Sequence, residues 1–537
     1  MENGGNRIGH FTIVGGGSAG WMTAGLLLAL LNRRSDGPDV RVSVIESPTV
    51  PIIGVGEATT LSTWESLGQL SIDENAFIQS CEASFKCAVR FSGWNLDDAG
   101  KPIEFYHPFQ SPTPIWGASP ALHYHRRQRR GVPQPSFAHS MSVMPALLDA
   151  NRAPRTMGMP YYEGLFSYSY HLDATLLGAH LKEYCLALGA EYISDDVVDV
   201  TLDDRGFVGA LQLRERGAYP VEFVIDCSGF RGLILRRALD EPFIPYDGHL
   251  LCDRALAAQI PHRPGAVLPP YTTSTALPAG WAWNVPLHSR RGTGYVFSSR
   301  FRGDDEAIDE FLAHLGEDGK GAEPRVIPLH IGRARRSWVK NCLAVGLSSG
   351  FIEPLESTSI HLIQIAVRRF TDFMPDRGCD PLLADAYNAS IASMYEDIRD
   401  FIAMHYATSN LDHPFWQAAR APDVVPERVR NRLALWKRKL PSPLDLDIQN
   451  PLFPAWSYLY VLFGKRFFDD CDFPLESTVS DADFDEFLAD TAKRRNQLLE
   501  RAPDHRALLD RVHAAKVTPW YDTTPSAMPA QRAGTPG

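Results

Sequence analysis

The chain has 537 residues, 44% of them hydrophobic and 22% charged, with a net charge of −11. That composition belongs to an ordinary folded protein and excludes a mainly disordered or collagen-like chain. The acidic balance gives no basic footprint for nucleic acid. At ~150 residues per domain the length suggests three to four domain-sized units. Eight cysteines, none in a CxxC pair, suit a reducing cytoplasm better than a disulfide framework, and no zinc site is expected. The apolar run Ala19–Leu31 follows a glycine turn and is shorter than the ~20 residues that span a bilayer, so it reads as a buried helix in a cytoplasmic protein.

In chain order, His10–Val14 predicts a strand, Gly15–Gly20 a turn, Trp21–Leu31 a helix and Val40–Ile45 a second strand, one βαβ unit. Residues 92–160 carry much Pro, His, Trp and Tyr with weak periodicity and read as long loops over a scaffold. Within them His123 and His125 fall on one side of a predicted strand; no third ligand accompanies them, and packing is the expected role. The run Arg126–Arg130 is expected to be a solvated face. Asp173 is a predicted N-cap for a helix over 174–188. Val197–Leu202, Val208–Leu213 and Val221–Ile225, with turns at 203–206 and 216–217, predict an antiparallel meander. Residues 383–440 and 450–470 are helical in pattern, and 519–537 read as a disordered tail.

The turn Gly15-Gly16-Gly17-Ser18-Ala19-Gly20 fits GxGxxG between a strand and a helix. Such a loop brings backbone N–H groups to a pyrophosphate at a helix N-terminus, Gly17 by close approach and Gly20 by letting helix and strand pack. Glu46 ends the second strand, where a carboxylate accepts hydrogen bonds from ribose hydroxyls. The unit alone does not separate FAD from NAD. The meander and the strand-turn segment at 341–350 favour FAD.

Six blocks in order then resemble the flavin-dependent halogenases, the group typified by tryptophan halogenases: 15–20, Gly54-Val55-Gly56-Glu57-Ala58-Thr59, Phe85–Phe91, Asp226–Gly232, Trp281-Ala282-Trp283-Asn284-Val285-Pro286, and Gly346–Gly350 running into Glu353–Thr358. The resemblance, from about residue 10 to about 420, implies an α/β, Rossmann-like FAD-binding fold of the glutathione-reductase type, with an antiparallel meander and a mostly helical C-terminal substrate region. On that division 1–91 and 160–375 form the FAD and halide module, and 92–159 with 376–518 the substrate insertions and helical cover. It implies FAD used as FADH2, with chloride or bromide and O2 as co-substrates. Lys86 would hold hypohalous acid beside an electron-rich, indole-like ring, by hydrogen bond or as a haloamine, and Glu356 would polarise the oxidant or accept the ring proton. Ala58, Thr59, Gly346, Leu347 and Ser357 would join the loop residues around the cofactor, and backbone amides of Thr358 and Ser359 would bind halide. Serine at 359 replaces the glycine of many members.

Trp281, Trp283 and Pro286 are implied to line the route between flavin and substrate, and His107, Phe109 and Trp456 to flank the substrate. The adjacent tyrosines and Phe-Trp-Asn run of tryptophan-specific members are missing from 451–460, so a ring without amino-acid groups is expected. A second Pro-Leu-Glu-Ser-Thr at 474–478 has no glycine-rich turn before it and receives no chemistry. The expected partners are a separate NAD(P)H-dependent flavin reductase and a small aromatic substrate, with a homodimer as the candidate assembly. The alternatives are an FAD-dependent aromatic hydroxylase and a non-catalytic flavin-binding redox sensor.

Overall fold

A computed structural model describes residues 6–32, 40–50, 56–115 and 119–516. Gly54 and Val55 of the second block, and the tail at 519–537, lie outside the described residues. The βαβ unit forms as strand His10–Val14, helix Ser18–Leu31 and strand Arg41–Glu46. The helix is buried along most of its length because it is covered on both sides. One side faces the parallel sheet; helices Ala174–Ala187 and Ser359–Asp372 pack on it elsewhere. Its hydrophobicity is therefore nearly uniform around the axis, as burial on all sides demands.

The central sheet has six strands in the order Trp338–Val339, Cys342–Ala344, Phe223–Asp226, His10–Val14, Arg41–Glu46 and Glu191–Ser194. Its inner pairs are parallel: Ile13 sits opposite Ile225 on one side and Val44 on the other. Asp173 caps helix Ala174–Ala187 as expected, its carboxylate accepting from Thr175 and Leu176 N–H at 2.8 and 3.1 Å.

The meander differs from expectation in its third strand. Gly217–Pro220 pairs with Val208–Leu213, whereas the apolar residues assigned to that role begin the parallel strand Phe223–Asp226. A run apolar on both faces belongs in a sheet covered on both faces, and the half-exposed meander takes the more polar Gly-Ala-Tyr-Pro instead.

A seven-stranded sheet forms the second layer, ordered Arg325–Pro328, Arg254–Pro261, Arg290–Phe297, Gly280–Pro286, Thr272–Leu277, Ala88–Leu96 and Pro102–Pro108. Residues 92–160 are thus not loops throughout. They hold the edge strand Pro102–Pro108, the end of its neighbour Ala88–Leu96, and helices Pro120–Arg129, Phe137–Met141 and Met144–Asp149. His123 and His125 lie on the first of these helices rather than on a strand. His123 Nδ1 meets the Ser480 carbonyl at 2.9 Å, and His125 is held by Glu476 and the Phe468 carbonyl. The arginine run is not simply solvated: Arg127 is buried and pairs with Asp485, and Arg129 and Arg130 reach Asp472 and Asp481. It fastens the 469–485 segment to the body.

That segment contains the second Pro-Leu-Glu-Ser-Thr, a 3-10 turn followed by helix Asp481–Arg501 with Ser480 as its N-cap. Helix Pro381–Ala407, with Pro414–Ala419, Glu427–Trp436 and Ala455–Gly464, covers the far side. No helix among the described residues is long and apolar enough to cross a membrane.

Candidate active site

The glycine loop opens a cavity of about 480 Å³ that runs from Gly15–Ala19 and Glu46 to Trp281, Trp283, Gly346, Leu347, Ser357 and Ser359. Gly15 has φ +120°, and a Cβ there would lie 2.2 Å from the Cys227 carbonyl. A Cβ on Gly20 would lie 1.8 Å from the Gly15 carbonyl, so the strand–helix joint admits hydrogen only. At Gly17, by contrast, nothing lies within 4 Å of an added Cβ, and no side chain caps the helix that follows. The first-turn N–H groups of that helix thus face open space, the arrangement that receives a phosphate.

Glu46 borders the loop as expected, though its Oε2 also pairs with Lys182 at 2.7 Å. Volume, helix terminus and acid together fit a flavin dinucleotide. Gly20→Ala is expected to weaken FAD binding roughly a hundredfold with an unchanged far-ultraviolet CD spectrum, read by quenching of flavin fluorescence.

Of the residues expected around the cofactor, Ala58, Gly346, Leu347 and Ser357 also line the cavity. Thr59 does not: its hydroxyl bonds the Tyr170 carbonyl at 2.9 Å and its own carbonyl turns to Lys86. Trp281 and Trp283 form one wall, ring centroids 6.3 Å apart. Pro286 is absent from the wall; its carbonyl accepts from the Ser84 hydroxyl.

Lys86 ends strand Ser84–Lys86, which lies in a three-stranded sheet with Ser169–Asp173 and Gly56–Ala58, and at Cys87 the chain leaves that sheet for the seven-stranded one. Every residue from 83 to 89 is buried, so the alternation of faces read from sequence does not separate core from solvent here. The lysine is completely buried. Its Nζ donates to the Thr59 carbonyl at 3.0 Å and to Ser357 Oγ at 2.8 Å, and it stands 5.1 Å from the Phe109 ring centre. Burial pulls the ammonium down to about 7, while the Glu356 charge works the other way.

Glu356 closes the 3-10 turn Pro354–Glu356; Ser357 follows in the left-handed region at φ 64°, and helix Ser359–Asp372 starts two residues later. This sharp joint turns Glu356 away from the cavity while Ser357 and Ser359 border it. Thr358 is fully buried, and its hydroxyl has no hydrogen-bond partner among the described residues. Glu356 Oε1 and Oε2 lie 3.0 and 3.2 Å from His107 Nδ1. Although burial pushes the carboxyl upward, the charge and hydrogen bonds of His107, with the close approach of His405, outweigh it and hold it at about 2.

The rings of Phe401, Phe453, Trp456 and Tyr460 stand 5.9–6.4 Å from the His107 ring. The predicted substrate residues His107, Phe109 and Trp456 therefore cluster on the Lys86 side, away from the cavity.

Sequence reading missed His405 and Glu353. Glu353 is fully buried, accepts from Trp281 Nε1 at 3.2 Å and Tyr406 at 2.8 Å, and is pushed up to about 7 by desolvation. A glutamate directly before a Pro-Leu-Glu turn and a histidine inside a helix carry no local signal of their own. Glu82, His288 and His513 also approach one another within 4.8 Å. Their two imidazoles stack face to face at 3.7 Å, so their lone pairs run parallel instead of converging on an ion.

A dinucleotide cavity joined through one tight turn to a buried lysine–glutamate pair among aromatic rings is the architecture of a flavin-dependent halogenase. The tryptophan halogenase family model matches residues 10–481, beyond the reach of the sequence motifs. The chain is 33% identical to the tryptophan 6-halogenase ThaL of Streptomyces albogriseolus, over 95% of this chain and 99% of that protein. The solved tryptophan halogenase from Shewanella frigidimarina superposes with a TM-score of 0.88 at 32% identity, covering 95% of this chain and 98% of that one. BrvH, a flavin-dependent halogenase from Brevundimonas sp. BAL3, gives 0.83 at 34% identity, covering 94% and 99%. The chain belongs to the tryptophan halogenase family. It is an enzyme of FADH2-dependent halogenation of an aromatic substrate.

Proposed function

We propose that the enzyme halogenates an indole-like ring lacking amino-acid groups, with Lys86 and Glu356 as its catalytic residues. The observation that carries this reading is the joint at 356–359, which turns Glu356 toward the aromatic cluster while Ser357 both borders the cavity and accepts from Lys86. Gly15, Gly17, Ser18 and Ala19 would hold the cofactor's pyrophosphate and Glu46 its ribose, with Ala58, Gly346, Leu347 and Ser357 around the remainder. Bound in reduced form, FAD would supply two electrons to dioxygen, and with two more from the halide and a proton this chemistry would yield one hypohalous acid and one water.

Chloride or bromide sits against the N–H groups of Thr358 and Ser359 at a helix N-terminus, where backbone dipoles favour an anion. Trp281 and Trp283 wall the cavity and keep bulk water and the aromatic substrate from it. An ammonium has three N–H donors. Thr59 and Ser357 engage two of those on Lys86, and the third binds the hypohalous acid at its oxygen. As the ring carbon takes the halogen the O–halogen bond breaks, the departing hydroxide takes a proton from Lys86 and leaves as water, and the carboxylate of Glu356 takes the proton that the ring carbon releases. His107, Phe109 and Trp456 hold the ring by their faces. Residues 1–91 and 160–375 carry the cofactor and halide, and 92–159 with 376–518 form the substrate pocket. Reduced flavin comes from a separate NAD(P)H-dependent reductase.

The test is turnover with FAD, a flavin reductase, NADH and either halide, on indole, tryptophan and a phenol. Products with the halogen isotope pattern are expected, with kcat/KM at least about tenfold higher for indole than for tryptophan, whose charged groups find no partners in this pocket. Hydroxylated products formed without halide would overturn the reading.

A further inference from the structure

A second imidazole, used by none of these steps, faces the same carboxylate from another element. His405 lies near the end of helix Pro381–Ala407 and is completely buried. Its Nε2 stands 3.3 Å from Glu356 Oε1 but without the alignment of a formed hydrogen bond, and its Nδ1 has no partner among the described residues. The ring has no freedom to seek one. It stacks on Phe91 at 4.8 Å and is boxed edge-on by Phe401 at 5.2 Å and Trp94 at 5.8 Å.

Burying an imidazole with neither nitrogen satisfied is costly, and an apolar ring would fill this box at no such cost. The nearby carboxylate is the polar group that explains it. Catalytic contacts are often long or oblique before substrate is bound and tighten afterwards. A comparison within the molecule shows what imidazoles do for a buried acid. Glu353, which has none, is pushed up to about 7, whereas Glu356, equally buried, is held at about 2.

We propose that His405 is a positioning residue that clamps Glu356 opposite His107 and keeps its carboxylate ionised and aimed while water is excluded. The inference rests on the proton-accepting role given to Glu356 above. The charged and titratable groups facing that carboxylate are Lys86, His107 and His405, with the buried amine of Lys465 acting on His405 from behind.

The experiment compares His405→Phe, His405→Gln and Glu356→Gln in the full-length enzyme, measuring kcat and KM for indole bromination from pH 5 to 8, with thermal melts. His405→Phe is expected to bring in an acid limb, with kcat about tenfold lower at pH 5.5 than the wild type at that pH and KM within about twofold. His405→Gln, which keeps an N–H donor, restores most of the profile. If His405→Phe keeps the wild-type pH profile, or both variants lose kcat equally at every pH in step with a lower melting point, the proposal fails. Should the phenylalanine variant not fold, His405→Asn, too short to reach the carboxylate, is read in its place against the same outcomes. Glu356→Gln separates the two readings. If it retains wild-type kcat, the role of Glu356 falls and this inference with it; if it abolishes turnover while the His405 profile is unchanged, only the inference falls.

Discussion

Lys86→Met is expected to abolish halogenation, lowering kcat about 10³-fold or more, while the protein melts about 2 °C higher than the wild type. On the role proposed for Lys86, the loss follows from removing the donor to the hypohalous acid. The gain follows from burial: this ammonium is shut off from solvent with two hydrogen bonds and a carboxylate for support, and it is held at about 7. The unfolded chain keeps the ordinary lysine value of about 10.4. Between these values the unfolded state binds the extra proton, so the penalty is complete below pH 7 and fades as pH rises toward 10. Methionine removes the penalty but leaves the Thr59 carbonyl without its donor, and a net gain of about 2 kcal/mol remains near neutral pH. Differential scanning calorimetry at pH 7 and pH 9.5 checks this, since the advantage of the variant should shrink at the higher pH. A lower melting point at pH 7 would show that the lysine is held for stability. In the wild type, single-turnover halogenation should fall as pH rises through about 7, because the donated proton is then lost.

Glu356→Gln is the second large effect, a drop of roughly 10²–10³ in kcat with little change in FAD affinity. The amide keeps the shape of the side chain but accepts no proton from the ring carbon. It also presents an N–H toward His107 or His405, whose nitrogens now face another donor instead of a carboxylate. Rapid-mixing measurements should show hypohalous acid still formed, detectable by an external trap such as a soluble thioether, with arene turnover lost. A variant that brominates at the wild-type rate would remove Glu356 from the chemistry.

Local signals carried much of the fold. The βαβ unit is legible because each part has its own mark: an apolar strand, glycines where a Cβ would collide, a helix apolar all round, and an acid at the next strand end. Asp173 announced its helix through a side-chain oxygen that could only be a cap. Where two environments accept the same residues, sequence failed. An apolar run such as 221–225 satisfies a meander or a covered parallel strand, and only the neighbouring strands decide. The stretch 92–160 lacked period because its strands and helices are buried on more than one face.

At the site, the blocks around Lys86 and Glu356 were visible as motifs, but not the contact between Lys86 and Ser357, which joins residues 271 positions apart. His405 was invisible for a related reason: its meaning comes from a carboxylate on another segment.

The change of sheet at Cys87 has a mechanical meaning. Its N–H is tied to the Pro270 carbonyl at 2.8 Å and its carbonyl to the Phe109 N–H at 3.0 Å, so the residue beside the lysine is pinned by two other segments. The seat of the lysine is therefore a weld between two sheets, while Phe401, Trp456 and Tyr460 of the aromatic cluster stand on helices of the cover. Such a division would let the cover change in sequence, and with it the ring carbon presented, without loosening the seat proposed to deliver the halogen.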